Sequence, residues 1–226
     1  MASSSRGGRD GVVVDLDEIR RRDQRAAAVE RRLRAKAHSG VPVRFLGQGF
    51  DDYRLQAGEP QARAVKLLRR YSDGFSQVRG EGICLQLLGG VGTGKTMLVC
   101  ALAQAVIDAG FSARYVTAMN AVREIRESYR RDSQTTEREA IKALTVPDLL
   151  VLDEVGQQYG TDGEQILLYD VINGRYEKQL PTVVVSNLDL KGVTGYLGER
   201  VIDRLREGGG RAVIFDWASY RRGPVA

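Results

Sequence analysis

The chain has 226 residues, of which 42% are hydrophobic and 28% are charged, as is typical of a soluble globular protein with a core. No apolar run approaches the roughly 18 residues of a membrane span, and the first residues, MASSSRGGRDG, lack the apolar stretch of a secretory signal. The composition therefore argues against membrane and secreted proteins, and we expect a cytoplasmic location.

Residues 15–40 are predicted to form a charged helical segment, and residues 1–14 a disordered tail that precedes it. Residues 1–40 hold ten Lys/Arg and six Asp/Glu, which is most of the net charge of +5. The apolar stripe of the helix is thin and comprises Leu16, Ile19, Ala26, Val29 and Leu33. A stripe this narrow favours docking onto another helix, and the excess charge favours an acidic surface or nucleic acid. A helix that faces only solvent explains the charge equally well.

Residues 41–59 are predicted to be a linker followed by a loop that contains two aromatic residues, Phe50 and Tyr53. A helix is predicted from Pro60 to about Phe75, where alanine, valine and leucine recur on one face. This helix opens the main domain, which we place at residues 60–226.

The central stretch of the main domain is GGVGTGKT at residues 89–96, which fits the phosphate-binding P-loop pattern. It follows a predicted buried strand at 83–88 and precedes a predicted helix that Gly110 closes, which is the context that a P-loop requires. A glycine-rich turn before a helix is the alternative. Lys95 is expected to reach the β- and γ-phosphates, and the Thr96 hydroxyl to bind Mg²⁺. The residues expected to bind the nucleotide here are Gly90, Val91, Gly92, Thr93, Gly94, Lys95, Thr96 and Met97.

The rest of the chain alternates between strand and helix patterns. Strands are predicted at 113–119, 149–152, 182–187 and 211–217, and helices at 120–131, 137–144 and 163–179. Alternation of this kind predicts an α/β fold with a five-stranded parallel sheet between two helical layers.

Two acidic residues, Asp153 and Glu154, follow the continuously apolar strand LLVL. A strand buried on both faces delivers Asp153 to the carboxyl edge of a parallel sheet, where ligands bind. Asp153 is expected to hold Mg²⁺ and Glu154 to activate the attacking water. Asn187 ends the next strand, where its amide either contacts the γ-phosphate or the water, or begins a turn.

Arg200 and Arg204 are spaced i, i+4 and therefore lie on one helix face. Ion pairs with neighbouring acidic residues are one explanation. The other is an arginine finger that reaches the nucleotide of an adjacent subunit.

From about residue 38 to 222 the chain resembles the bacterial replicative helicase loaders, the DnaC-like branch of the AAA+ ATPases. The resemblance rests on several segments: FDDYR at 50–54, GGVGTGKT, LLVLDEVG, SNL at 186–188, LGERVIDRLR at 197–206 and VIFDWASYR at 213–221. The resemblance implies a P-loop AAA+ core without a C-terminal lid, since only nine residues follow Trp217, preceded by an N-terminal helical segment.

The resemblance also implies roles for individual residues. Asn187 takes the sensor 1 position and Arg204 that of the arginine finger, with Arg200 as a second candidate. Phe50 and Tyr53 resemble a loop near the adenine. Single-stranded DNA is expected to contact Arg126, Tyr129, Arg130 and Arg131. A packing role explains Tyr129 equally well, and the stretch 156–163, which touches DNA in relatives, is here mostly glycine and polar.

The sequence therefore predicts an ATP-dependent, Mg²⁺-dependent loader that binds a hexameric DnaB-type helicase and single-stranded DNA and self-associates into a spiral or ring. One alternative is the related IstB-like transposase helper ATPase, which differs in its partner. A small-molecule P-loop kinase and a non-catalytic adaptor are the others. Asp153, Glu154 and Arg204 argue against the kinase, and the adaptor is disfavoured because every hydrolytic position is filled.

Overall fold

The computed structural model describes residues 16–56, 58–157 and 162–220. The helices run as α1 Leu16–His38, α2 Glu59–Asp73, α3 Phe75–Glu81, α4 Lys95–Asp108, α5 Ala118–Glu127, α6 Glu137–Thr145, α7 Asp162–Tyr176, α8 Leu190–Leu197 and α9 Glu199–Arg206. The strands are β1 Leu85–Gly89, β2 Ala113–Thr117, β3 Leu149–Asp153, β4 Thr182–Ser186 and β5 Arg211–Phe215. Short 3-10 turns occupy Val43–Phe45, Phe50–Asp52 and Glu207–Gly209.

The five strands form one parallel sheet in the order β2-β3-β4-β1-β5. This confirms the predicted α/β fold. Strands β3 and β4 are buried along their whole length, which explains their unbroken apolar sequences. Because β4 lies between β3 and β1, the ends of these three strands meet at one edge of the sheet. The P-loop and Asn187 follow two of these ends, and Asp153 is the last residue of β3.

Helices cover both faces of the sheet and bury two apolar cores. One core contains side chains of α2, α3 and α4 together with alternate residues of the strands, such as Leu87 and Val151. The other contains side chains of α5 to α9 with the intervening strand residues, such as Leu88 and Leu152. The period of two along each strand thus gives the three layers that the sequence pattern predicts.

One charged side chain, Arg175 of α7, is fully buried. Its guanidinium donates to the Thr182 hydroxyl and to four backbone carbonyls, at Leu144, Pro147, Asp148 and Pro181. Burial lowers the pKa of this guanidinium to about 10. The side chain therefore ties the end of α6 to the starts of β3 and β4, and its hydrogen bonds compensate for the lost hydration.

The segment after α1 is attached to the edge of the sheet and is not a free linker. The Tyr115 N–H donates to the Ser39 carbonyl at 2.7 Å, and Ser39 and Val41 are both buried. Gly40 has a φ of +82°, and a Cβ at this position would lie 2.2 Å from the Tyr115 carbonyl oxygen. Residues 39–41 thus cover part of the exposed edge of β2, which an open sheet must protect.

Several predicted elements differ from the observed ones. The helix predicted from Pro60 to Phe75 ends at Asp73, because Gly74 closes α2 and starts the short α3. The helix predicted at 120–131 ends at Glu127, and α8 was not predicted. The predicted tail 1–14, part of the stretch 156–163 and residues 221–226 lie outside the described residues. In the part of the chain that the structure describes, none of the helices has the length and apolar content needed to cross a membrane.

Candidate nucleotide site

A cavity of about 650 Å³ lies at the carboxyl edge of the sheet. It is lined by the P-loop, by the ends of β3 and β4, and by residues from two segments distant in sequence. The lining residues that the sequence predicted are Tyr53, Val91, Gly92, Thr93, Gly94, Lys95, Thr96, Met97, Asp153, Glu154 and Asn187. The fold therefore brings nearly every predicted nucleotide and catalytic residue into one cavity, although Gly90 belongs to the P-loop without lining it.

Lys95 is held in place at the start of α4. Its Nζ donates to the carbonyl oxygens of Gly89 and Gly90, at 2.6 and 2.7 Å, so the P-loop folds around the ammonium. Its side chain is buried, and burial lowers its pKa to about 8, although the nearby Asp153 opposes this shift. Burial weakens the hydration of this ammonium, so the ammonium interacts strongly with an added anion, which is what a phosphate site requires.

Both carboxylate oxygens of Asp153 have donors. The Tyr115 hydroxyl donates to Oδ2 at 2.7 Å, and the Glu154 N–H donates to Oδ1 at 2.7 Å. Tyr115 is buried, and burial together with Asp153 raises the pKa of its hydroxyl. Sequence reasoning missed Tyr115, because only the pairing of β2 with β3 places it beside Asp153. The orientation of this carboxylate is thus fixed by two hydrogen bonds before any ligand binds.

Glu154 follows in a left-handed backbone conformation, with a φ of +59° that a non-glycine residue adopts at a cost of about 1–2 kcal/mol. Contacts to β4 fix the turn: the Val155 N–H donates to the Val185 carbonyl, and the Ser186 hydroxyl to that of Val155. The Glu154 side chain is exposed at the cavity, as is suitable for a group that contacts a water molecule. The strain is thus localised at a catalytic candidate.

The two aromatic residues of the loop expected near the adenine lie in different environments. Tyr53 lines the cavity, and its hydroxyl donates to the Thr93 carbonyl. Phe50 does not line it, and its contact with the nucleotide stays a prediction. The Phe50 ring packs in the core, and the guanidinium carbon of Arg69 lies 5.3 Å from the centroid of this ring. Burial of the apolar ring outweighs exposure at the cavity wall.

Gln104 of α4 holds a second loop at the cavity wall and was missed by sequence reasoning. Its amide donates to the carbonyls of Phe45 and Gln48 and accepts from the Gly47 N–H. Phe45 and Gln48 both line the cavity. A buried glutamine in an otherwise apolar helix was the available signal, because such an amide needs partners.

Arg204 lies outside the cavity, on α9. Its Nη1 donates to the Tyr169 hydroxyl at 2.9 Å, and its guanidinium carbon lies 5.3 and 5.2 Å from the ring centroids of Tyr169 and Tyr176. The Tyr176 hydroxyl in turn donates to Glu207. Arg200 lies one turn earlier and is exposed. The chain's own Arg204 therefore does not contact a nucleotide in its own cavity.

The residues predicted to contact DNA lie at the end of α5 and just beyond it. Tyr129 is 53% exposed, and its hydroxyl donates to Glu137. Arg126 pairs with Glu164 at 3.6 Å, Arg130 pairs with Asp132 at 3.4 Å, and Arg131 is exposed. The ring of Tyr129 and the three arginines are thus exposed, and acidic residues partly neutralise the charge of Arg126 and Arg130.

Known proteins resemble this chain in sequence and in fold. A family model described as "IstB-like ATP binding protein" matches residues 9–205. The chain is 32% identical over 203 residues to the replicative helicase loader DnaC of Escherichia coli strain K12, covering 87% of this chain and 81% of that protein. The DnaC of Buchnera aphidicola subsp. Acyrthosiphon pisum is 31% identical over 202 residues, covering 89% and 79%. A crystal structure of the DnaC helicase loader gives a TM-score of 0.69 at 21% identity, covering 77% of this chain and all of that one.

Proposed function

This chain belongs to the family of IstB-like ATP-binding proteins and to the DnaC-like AAA+ helicase loaders, and on that premise we propose that it loads a hexameric DnaB-type replicative helicase. In this proposal it binds the helicase, helps to place it on single-stranded DNA, and uses ATP hydrolysis as the switch for its release. The main support for the proposal is the cavity, which the P-loop lines together with Asp153, Glu154 and Asn187. The chain that forms this cavity is related to proteins named helicase loaders.

The donor set at the cavity fits a magnesium ion. Thr96 offers a hydroxyl and Asp153 a carboxylate, and Mg²⁺ takes oxygen ligands of this kind together with substrate phosphates and water. Among the described residues there is no cluster of three or more His, Cys, Asp or Glu that could hold a metal by itself, which fits an ion shared with the nucleotide. When bound, Mg²⁺ neutralises charge that develops on the phosphates.

The chain's own residues supply the remaining chemistry. Lys95 leaves the carbonyls of Gly89 and Gly90 and binds the β- and γ-phosphates of ATP, while P-loop N–H groups bind the phosphate oxygens. Glu154 orients a water molecule opposite the leaving oxygen and accepts its proton as the bond to the γ-phosphorus forms. Asn187 donates its amide to the γ-phosphate or to this water. The leaving ADP carries away the electron pair of the broken bond.

We place the arginine finger in the adjacent subunit. Arg204 is fixed by Tyr169 and Tyr176 at a surface away from its own cavity, so it reaches a γ-phosphate only across an interface. Self-association into a spiral or ring, as proposed here, completes each site with the neighbour's arginine. Hydrolysis then depends on assembly, as a switch requires.

We propose that the helicase binds α1 and that single-stranded DNA binds the surface around Tyr129. Val29 and Leu33 of α1 are 54% and 61% exposed, so this part of the stripe is available to a partner helix. Tyr129 presents a ring on which a base can stack, with Arg126, Arg130 and Arg131 near enough to contact phosphates.

A second candidate function is that of a transposase helper, because the matching family model carries the IstB-like description. The ATPase site is compatible with both functions, so only the partner separates them. The curated relatives that cover most of the chain are named helicase loaders, and this observation favours the first.

A loading assay tests the proposal. The protein and the replicative helicase of the same cell are mixed with single-stranded DNA circles and ATP, and DNA-bound helicase is measured. We expect loading with the parent protein, and no loading with Lys95→Ala, whose nucleotide affinity by calorimetry should be lost because the phosphates lose their main countercharge. A parent protein that binds ATP but neither co-elutes with the helicase nor promotes its loading would contradict the proposal. Co-elution with a transposase would then favour the second candidate.

A further inference from the structure

The segment after β5 runs along the P-loop and contacts it. We call residues 216–220 the strap. The Tyr220 N–H donates to the Gly92 carbonyl at 2.9 Å, and the Trp217 Nε1 donates to the Thr93 carbonyl at 3.0 Å. The strap therefore engages two successive peptide groups of the phosphate-binding loop, and no role in the proposed function accounts for it.

A second element, the loop that contains Tyr53, donates to the same peptide group. The Tyr53 hydroxyl donates to the Thr93 carbonyl at 2.8 Å, so this oxygen accepts from two side chains, one 40 and the other 124 residues away in sequence. The rings of Tyr53 and Tyr220 meet edge to face, with centroids 5.4 Å apart. The strap and the loop before α2 thus close on each other around the P-loop.

There is no space for a side chain at two glycines of the P-loop, because the strap and Tyr53 pack against them. A Cβ at Gly92 would lie 2.0 Å from the Ser219 hydroxyl oxygen, and one at Gly94 would lie 2.4 Å from the Tyr53 ring. Both residues also have a positive φ, of +81° and +90°, which side chains rarely adopt. These two glycines are therefore required by the strap and by Tyr53 as well as by the turn itself.

Hydrogen bonds to the carbonyls on one side fix the direction of the N–H groups on the other. In a trans peptide the C=O and the following N–H point in opposite directions within one plane. Donors that hold the carbonyls of Gly92 and Thr93 therefore orient the N–H groups of Thr93 and Gly94 in the opposite direction. These are the groups with which a P-loop binds phosphate oxygens.

Tyr220 also lines the cavity itself, beside Tyr53 and Gly92. An uncharged aromatic side chain suits the base or ribose of a nucleotide better than its phosphates. We propose that the strap positions the P-loop for phosphate binding through Trp217 and that Tyr220 contacts the nucleoside part of the bound nucleotide. This inference rests on the proposed nucleotide-binding function and extends it to residues outside the P-loop.

Two ligands and two variants separate these roles, with affinity measured by calorimetry for ATP and for inorganic tripolyphosphate. Trp217→Phe keeps a ring against Phe215 but removes the N–H donor, so affinity should fall by about 2- to 10-fold for both ligands, the value of one hydrogen bond. Tyr220→Ala keeps the backbone donor and removes the ring, so affinity should fall for ATP and stay unchanged for tripolyphosphate.

Tyr71→Phe is the control for Trp217→Phe. It also removes one side-chain hydrogen bond to a backbone carbonyl, that of Ile83, but outside the cavity. It should leave both affinities unchanged. In the parent protein Trp217 is the only tryptophan, so its fluorescence should change during titration with either ligand, at a midpoint that matches calorimetry.

Each part of the proposal has an outcome that overturns it. Positioning by the strap is wrong if Trp217→Phe binds both ligands as the parent does, or if the fluorescence of Trp217 stays constant while calorimetry shows binding. The nucleoside contact is wrong if Tyr220→Ala weakens tripolyphosphate and ATP equally. A parent protein that binds neither ligand contradicts the proposed function itself, which is a separate result.

Discussion

The nucleotide cavity and the helix α1 are stabilised in opposite ways. Side chains at the cavity have partners far away in sequence: Tyr115 holds Asp153, Tyr53 holds the P-loop, and Gln104 holds the loop at 45–48. Most ion pairs of α1 join neighbours on the same helix, as Arg34 does with Glu30. Folding of one chain is thus sufficient to build the cavity wall, whereas Val29 and Leu33 of α1 remain exposed in the single chain.

Arg204 gives the largest expected effect, because it is the one catalytic candidate that the chain does not bring to its own cavity. We expect Arg204→Ala to bind ATP nearly as well as the parent and to hydrolyse it roughly 10³- to 10⁵-fold more slowly. Mixing this variant with Lys95→Ala should restore part of the activity, because a mixed interface pairs an intact P-loop with an intact Arg204. Phosphate release measures the effect.

Each variant alone must be inactive, and mixed oligomers must be shown to form, on DNA or with the helicase if these are needed for assembly. Mixed oligomers without restored turnover would contradict action in trans. Arg200 would then be the better candidate for the arginine finger. The effect of Arg204→Ala would then come from altered packing of Tyr169 and Tyr176.

Glu154 tests the part of the site that the chain builds alone. Glu154→Gln should retain ATP affinity and lose turnover by about 10²- to 10⁴-fold, because the water loses its base. Glu81→Gln, on α3 and outside the cavity, is the matched control and should leave turnover unchanged. Turnover within a few-fold of the parent would show that Glu154 is not the base.

What the sequence predicted about these regions follows a physical division. The strands, the P-loop and the acidic residues after β3 were predictable, because local periodicity and motif spacing determine them. The packing of Phe50 in the core was not predictable, since no local pattern shows whether a loop aromatic faces a cavity or a core. Tyr115 was invisible for the same reason, because its contact depends on strand order.

The missed helix α8 illustrates a different limit. Its sequence LKGVTGYL contains two glycines, which lower helix propensity. Its start was nevertheless signalled by Asp189, whose side chain accepts from the Gly192 N–H as an N-cap. Capping and packing of Val193 and Leu197 in the core outweigh the propensity of this short segment.

The pH dependence of ATP binding gives a smaller effect and tests whether the cavity is prepared for an anion. The pKa of Lys95 is about 8 in the free protein, and bound phosphates should raise it by adding nearby negative charge. Above pH 8 the free protein therefore loses a proton that the complex keeps. ATP affinity should fall as pH rises from 8, by up to about tenfold per unit.

Calorimetry at pH 9 in two buffers of different ionisation enthalpy measures the matching proton uptake. Lys178→Met, a change at an exposed lysine of the turn after α7, is the control and should keep the same pH profile. A constant affinity between pH 7.5 and 9.5 without proton uptake would show that Lys95 stays protonated in the free protein.

The smallest expected effect on stability belongs to α1, and it completes the comparison. A chain that starts at Ser39 loses α1 but keeps the hydrogen bond from Tyr115 to the Ser39 carbonyl and the contact at Gly40. The main loss is the ion pair between Lys36 and Asp108, whose side chains are 21% and 51% exposed. Such a pair contributes about 0–1 kcal/mol, so the melting temperature should fall by no more than roughly 2–4 °C.

This truncated protein should bind ATP as the full chain does and fail to co-elute with the helicase, because the exposed stripe of α1 is gone. A chain that starts at Arg44 is the informative contrast. It also lacks residues 39–41, so the edge of β2 is no longer covered and the core loses the buried side chain of Val41. Its melting temperature should fall further than that of the Ser39 truncation. If the Ser39 truncation still co-elutes with the helicase, the binding surface lies on the ATPase domain and α1 needs another explanation.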